Sequence, residues 1–225
     1  MIHQLIFAAP RPGMTETEFQ RYWLEEHAVR YASKIPQIRK YKIDTRLPVE
    51  GEDAPLWGGI AEIWLRPEEQ IESLQTPEFL EGARLDEPKW AAFWQSLVLD
   101  TFAHVIVEPP RAEGVKLVRL VKRQEGISLS TFRELSLGKH AELVAEVPGL
   151  RGYLQGHTVD GAYGIGEATL DAAYQLWFDS VEDLRAAVAS PEFRRADEEL
   201  GSFVQQRYLH EMTVAEHWVI GPDVR

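Results

Sequence analysis

Two histidines carry most of the chemistry that can be read from this chain. Imidazole titrates near neutral pH and can take up or deliver a proton. His27 lies in a run Phe19, Trp23, His27, Tyr31 at spacings of four, which puts it in an aromatic stripe on one helix face. Half-buried under such a helix, it would stay mostly neutral and poised as a general base. The competing role is a core histidine that bonds a backbone carbonyl and fixes the helix on its sheet. His140 sits in the matching place of a plainer copy, where the stripe is Phe132, Ser136, His140, Val144, and that recurrence favours the structural role.

Tyr41, on the strand after the His27 helix, can donate a proton or polarise a carbonyl, or it can be a strand tyrosine with its hydroxyl at the edge. Tyr153 has the same place in the second half. Trp23 and Trp64 form either an aromatic wall for a flat substrate or simple core. Glu62 is a mid-strand carboxylate that needs a partner or a cavity, or else a rim position. Its counterpart is read as Leu176, so only the first half carries that charge. His3, His104, His157, His210 and His217 show no zinc-site spacing, and there are no cysteines, so no metal is expected. Phosphate loops, dinucleotide fingerprints and nucleophile elbows are missing from the sequence.

The element that positions His27 is written locally. Thr15 and Glu18 form a T-x-x-E capping box, and Met14 with Phe19 can staple the start. Pro36 ends the segment by pushing Ile35 towards extended geometry. Around it the first half reads as strand 2–8, helix 14–36, strand 38–46, loop 47–57 with Gly51 and Pro55, strand 58–65, helix from Pro67 restarted at Thr76-Pro77, and strand 100–107. After a linker at 108–114 the order repeats: strand 115–121, the His140 helix, strand 150–157, a Gly-rich loop, strand 171–178, helices from Val181 and Pro191, and strand 213–220. The landmarks keep one offset. His27 to His140 and Val107 to Ile220 are 113 apart, Pro36 to Pro148 and Tyr41 to Tyr153 are 112, and Thr76 to Ser190 is 114. That period is too long for a solenoid. It marks a duplicated domain, 1–108 and 115–225.

The 225 residues are 44% hydrophobic, with seven Trp, seven Tyr and nine Phe, enough for a substantial core. A net charge of −12 argues against nucleic acid and against an anionic membrane surface. No apolar run approaches the ~20 residues of a membrane span, and no secretory signal is evident. A soluble cytoplasmic protein is expected.

Two β-α-β-β-α-β units are two ferredoxin-like split units. Their strands carry large apolar residues on both alternations, as at Ile63-Trp64 and Trp177-Phe178. An α+β fold with the bare sheet faces packed together, a dimeric α+β barrel within one chain, buries them. The residues Phe19, Tyr22, Trp23, His27, Ala28, Pro36 and Tyr41, with AEIWL and TPEF, resemble the EthD family of the dimeric α+β barrel superfamily. The second half keeps Phe132, His140, Ala141, Pro148, Tyr153 and SPEF, and departs at Leu135 and Ser136.

The resemblance implies proton-transfer chemistry without a cofactor on a small oxygenated, aromatic or polyketide-like molecule: isomerisation, dehydration, decarboxylation or cyclisation. It implies leading roles for His and Tyr, here His27 and Tyr41, and Glu62 joins them as a catalytic candidate because the first half alone carries its charge. Tyr22, Trp23, Tyr31, Trp64, His140 and Tyr153 are the substrate-binding candidates. A monomer or a homodimer of barrels is expected. A binding protein without chemistry is the alternative. A haem protein of the chlorite-dismutase kind is a weaker one, because no histidine is positioned as an axial ligand.

Overall fold

The computed structural model describes residues 1–49, 56–111 and 114–225. Gly51, Pro55 and the middle of the 108–114 linker lie outside them. Among the described residues eight strands form: β1 (Ile2–Ala8), β2 (Lys40–Arg46), β3 (Gly59–Leu65), β4 (Leu97–Val107), β5 (Val115–Val121), β6 (Gly152–Thr158), β7 (Ala172–Phe178) and β8 (His210–Ile220). The fold class is α+β, two ferredoxin-like units of the dimeric α+β barrel type carried in one chain.

Unit one comprises Met1–Asp100 and Val214–Arg225, and unit two Thr101–Thr213. These compact units are not the two sequence repeats, because each long strand changes unit part-way. In unit one β3 pairs antiparallel with β1 and β2, placing Tyr41 opposite Ile63 and Leu5 opposite Glu62. β2 then pairs with the end of β8, Arg46 opposite Val214 and Ile43 opposite His217. Unit two repeats the plan: β7 pairs with β5 and β6, and β6 pairs with the end of β4 from Thr101 onwards.

The His27 helix is capped as its sequence dictates. The Thr15 hydroxyl accepts from the Glu18 N–H at 3.2 Å, and the Glu18 carboxylate accepts from the Thr15 N–H at 2.9 Å. The helix then departs from the expected shape. Glu16–Tyr22 is α-helical, Trp23–His27 is a wider π turn, and Ala28–Arg30 closes it. The backbone breaks at Tyr31, and a 3-10 turn, Ala32–Lys34, leads to an extended Ile35 before Pro36. The continuous helix expected to Pro36 is thus shorter. The companion helix, Leu129–Leu135, passes into the same wide turn at Ser136–His140. Such turns insert one residue and re-aim the side chains that follow.

The core of unit one lies between these helical segments and one face of the sheet. Phe19, Trp23, Tyr41, Ile43, Ala61, Ile63 and Trp90 are among its buried members. Strand alternation puts Ala61 and Ile63 on this face, and Glu62 and Trp64 on the other.

Candidate active site

Beneath the His27 helix lies a cavity of about 90 Å³. Its wall includes Trp23 and His27 from the helix, Tyr41, Ala61 and Ile63 from the sheet, and Glu87 and Trp90 from the segment that crosses the sheet second. Apart from His27, Tyr41, Glu87 and Ser96 the lining is aliphatic or aromatic.

His27 is held from behind. Its Nδ1 is 2.9 Å from Oδ2 of Asp86, and both groups are buried. The other Asp86 oxygen accepts from the Tyr22 hydroxyl at 2.9 Å and from the Lys89 ammonium at 3.0 Å. Burial alone would raise the Asp86 carboxyl, but the hydrogen bonds from His27, Lys89 and Tyr22 outweigh it and hold the group below its usual value. A carboxylate accepts only, so Nδ1 carries the hydrogen and Nε2 keeps its lone pair. Burial lowers the His27 pKa further than Asp86 raises it, so the ring is neutral at neutral pH. Trp90 packs on it with centroids 4.7 Å apart.

Tyr41 is fully buried on the sheet side of the cavity. Burial pushes its phenol far up, against a smaller downward pull from the Trp23 side chain, so it stays protonated. Tyr22 reaches Asp86 instead of the cavity. Tyr31 packs beside His27 at 6.2 Å between centroids and under the Lys89 ammonium.

Glu62 and Trp64 do not join them. Both point to the opposite face of β3, as the strand period requires. Glu62 Oε2 is 2.5 Å from His3 Nε2, and Oε1 is 3.2 Å from Lys42 Nζ. Lys42 also pairs with Glu216. Trp64 stacks on His3 at 4.2 Å and meets Trp218. Glu62 is thus a paired buried charge, neither a rim position nor a group of this cavity. Asp44, Glu62 and Glu216 bring carboxylate oxygens within 4.8 Å of one another, and the Lys42 ammonium supplies positive charge there. The repeat puts Gln175, not Leu176, in the place of Glu62, since Gly59–Leu65 and Ala172–Phe178 align end to end.

Unit two keeps the back of the site and loses the front. His140 Nδ1 is 3.0 Å from Oε2 of Glu199. The place of Ala61 is taken by Tyr174, whose ring lies 5.5 Å from His140 and whose hydroxyl is 2.6 Å from Oγ of Ser136, the counterpart of Trp23. Tyr153 is buried beside it, and its hydroxyl accepts from Gln155 at 2.7 Å. Nε2 of His140 is buried with no hydrogen-bond partner among the described residues. Among the described residues that line the unit-one cavity, His140 and Tyr153 do not figure.

Sequence reading missed Asp86, Glu87 and Trp90. They lie in or directly after a short segment, Arg84–Asp86 followed by Glu87–Lys89 and then Trp90, that carries no motif. One signal was present: an acidic residue stands 59 positions after the histidine in both halves, Asp86 after His27 and Glu199 after His140.

Among the described residues no helix is long and apolar enough to cross a membrane. The cavity is far too small for a tetrapyrrole. Among solved structures, the chain is similar over 99% of its length to an anthrone oxidase-like protein, at 14% identity, 93% of that chain and a TM-score of 0.66. It is similar over its full length to candidate monooxygenases from Fusobacterium nucleatum (7% identity, 95% of that chain, TM-score 0.61) and Lactobacillus acidophilus (15%, 98%, 0.53). At these identities the likeness is one of fold. No match was found among curated proteins. The EthD domain profile matches twice, at residues 11–93 and 124–206. With both halves of the duplication matched, and the histidine inside each, this chain is a tandem member of the EthD family.

Proposed function

We propose that the protein is a lyase or isomerase that moves a proton on a small oxygenated, ring-shaped molecule, using its own side chains and no cofactor. The observation that carries this reading is the His27–Asp86 pair at the wall of an apolar cavity. Asp86 fixes the tautomer, the dry aromatic wall keeps the ring neutral, and Nε2 becomes the general base. Tyr41, kept protonated by burial, is the hydroxyl that orients or polarises an oxygen of the substrate. Trp23 and Trp90 supply flat surfaces for a ring. Tyr22 and Lys89 act through Asp86 and are positioning residues. The protein works as a monomer or a homodimer in the cytoplasm.

The test needs no natural substrate. Cyclohexanone in D₂O exchanges its α-hydrogens when a base removes them, and NMR follows the loss of signal. The native protein should accelerate exchange well above buffer, and His27→Ala should return it to the buffer rate with little change in melting temperature. Equal rates for the two proteins, or loss of folding in the variant, would leave His27 a structural residue.

A further inference from the structure

Asp86 and Glu87 are consecutive carboxylates with different surroundings. Asp86 is buried behind His27, and Glu87, whose side chain is 18% exposed, lines the cavity. Among the described residues that line the cavity, Glu87 is the one carboxylate. Its Oε2 accepts from Nη1 of Arg84 at 2.8 Å. The Arg84 guanidinium also covers the ring of Phe93 at 4.3 Å, and Phe93 is both a lining residue and 44% exposed. Arg84 therefore ties the cavity's carboxylate to the most solvent-exposed part of its wall.

The duplication supplies a control. In unit two the place of Glu87 is taken by Leu200, which is fully buried. Arg84 and Phe93 correspond there to Asp197 and Gln206. The copy in which Tyr174 fills the space before the histidine thus has Leu200 in place of the carboxyl, Asp197 in place of the guanidinium and Gln206 in place of the aromatic ring. A half-buried carboxylate in an apolar wall costs solvation and persists only where it meets a partner or a ligand.

Resting on the reading of the cavity as a proton-transfer site, we propose that Glu87 is its second working group: it hydrogen-bonds the oxygen of the ligand and selects neutral hydroxyl- or carbonyl-bearing rings against carboxylates. Like charges brought together in a low-dielectric site repel strongly. An ionised Glu87 accepts from a ligand hydroxyl, and a protonated one donates to a carbonyl. The charged and titratable groups around it are Arg84 and Asp86 on its own segment, His27 from the first helix and Tyr41 from the sheet. Burial raises the Glu87 carboxyl against the opposing pull of Arg84, whereas Asp86 is held low.

The experiment titrates the full chain at pH 7.5 with phenol and with benzoate, following the His27 ring signals by NMR. Phenol should bind at least ~10-fold more tightly than benzoate, one like-charge contact being of that order. Glu87→Gln should admit benzoate and shrink the ratio severalfold. Glu87→Leu, the unit-two residue, should weaken phenol while leaving fluorobenzene unaffected. Benzoate binding as well as phenol, held by Arg84, would overturn the proposal, and so would an unchanged ratio in Glu87→Gln. In both of those cases the cavity reading survives. If neither compound moves the His27 signals, the cavity reading falls and this proposal with it.

Discussion

His27 and Asp86 are joined across 59 residues by a 2.9 Å hydrogen bond, and His140 and Glu199 are joined across the same 59 by one of 3.0 Å. Duplication has kept an imidazole–carboxylate bond in both copies while the residues in front of it diverged. Trp23, Ala61, Glu87 and Trp90 leave a cavity in unit one. Ser136, Tyr174, Leu200 and Phe203, their counterparts, are all buried. The pair alone thus serves the fold; the pair with a cavity before it can serve chemistry.

Replacing Asp86 by Asn should expose what the carboxylate does. Without its charge the His27 pKa falls further, because burial then acts without its counterweight. The ring also loses its enforced Nδ1–H form. ¹⁵N NMR of the imidazole reads both, and an unaltered tautomer would show that Asp86 does not set it.

The large and small residues of the two copies should be exchangeable. Trp23→Ser with Ala61→Tyr rebuilds the unit-two arrangement in unit one and should abolish phenol binding while the chain stays folded. Ala61→Tyr alone overpacks the core, at a cost of ~1–3 kcal/mol. Conversely, Tyr174→Ala removes a buried ring, costs ~3–5 kcal/mol, and opens a space before Nε2 of His140. Urea unfolding with and without phenol measures both terms.

Lys42→Met should be among the most damaging single changes. It leaves Glu62 buried with its partnership to Lys42 gone, a loss of ~3–5 kcal/mol. Lys42→Met with Glu62→Gln removes both charges and should recover most of that. A double variant as unstable as the single would mean that packing of the lysine stem, not charge, is at stake.

Stability should fall on mild acidification. His27, His140 and His157 are all held below the usual histidine value by burial, His157 at about 3. A group with a lowered folded pKa binds fewer protons folded than unfolded. Its contribution is therefore complete above ~6.5 and is lost as pH drops towards its folded pKa, at up to ~1.4 kcal/mol per unit for each group. Urea midpoints at pH 7, 6 and 5 should decrease in that order, and His157→Phe should flatten the trend.

The fold was legible because its signals are local and doubled. The Thr15–Glu18 box, Pro36 and the constant offset near 113 each name an element or a repeat without tertiary knowledge. The cavity was only half legible. Trp23, His27 and Tyr41 lie on periodic elements, and period assigns their faces. Glu62 was misplaced because mid-strand charge was weighed without asking which side its alternation gives; Ala61 and Ile63 hold the cavity side. Asp86 and Glu87 sit in short helical turns that carry no motif; only the distance of Asp86 from a histidine, repeated in the second copy, could have singled it out, and no such signal marks Glu87. The wide turn at Trp23–His27 was invisible for a related reason: a one-residue insertion in the helical ladder leaves the residue types unchanged.

The course of β8 bears on how the protein comes to be made. Val214–Arg225 belongs to unit one although all of unit two precedes it in the chain. Its pairing with β2, and the Arg225 guanidinium on the carbonyls of Ser33, Ile35 and Ile38, arise only after those residues leave the ribosome. The half that is translated first is therefore finished last. Severing the gene at the linker would yield two fragments, the first with an open β2 edge and the second with a strand that has lost its seat.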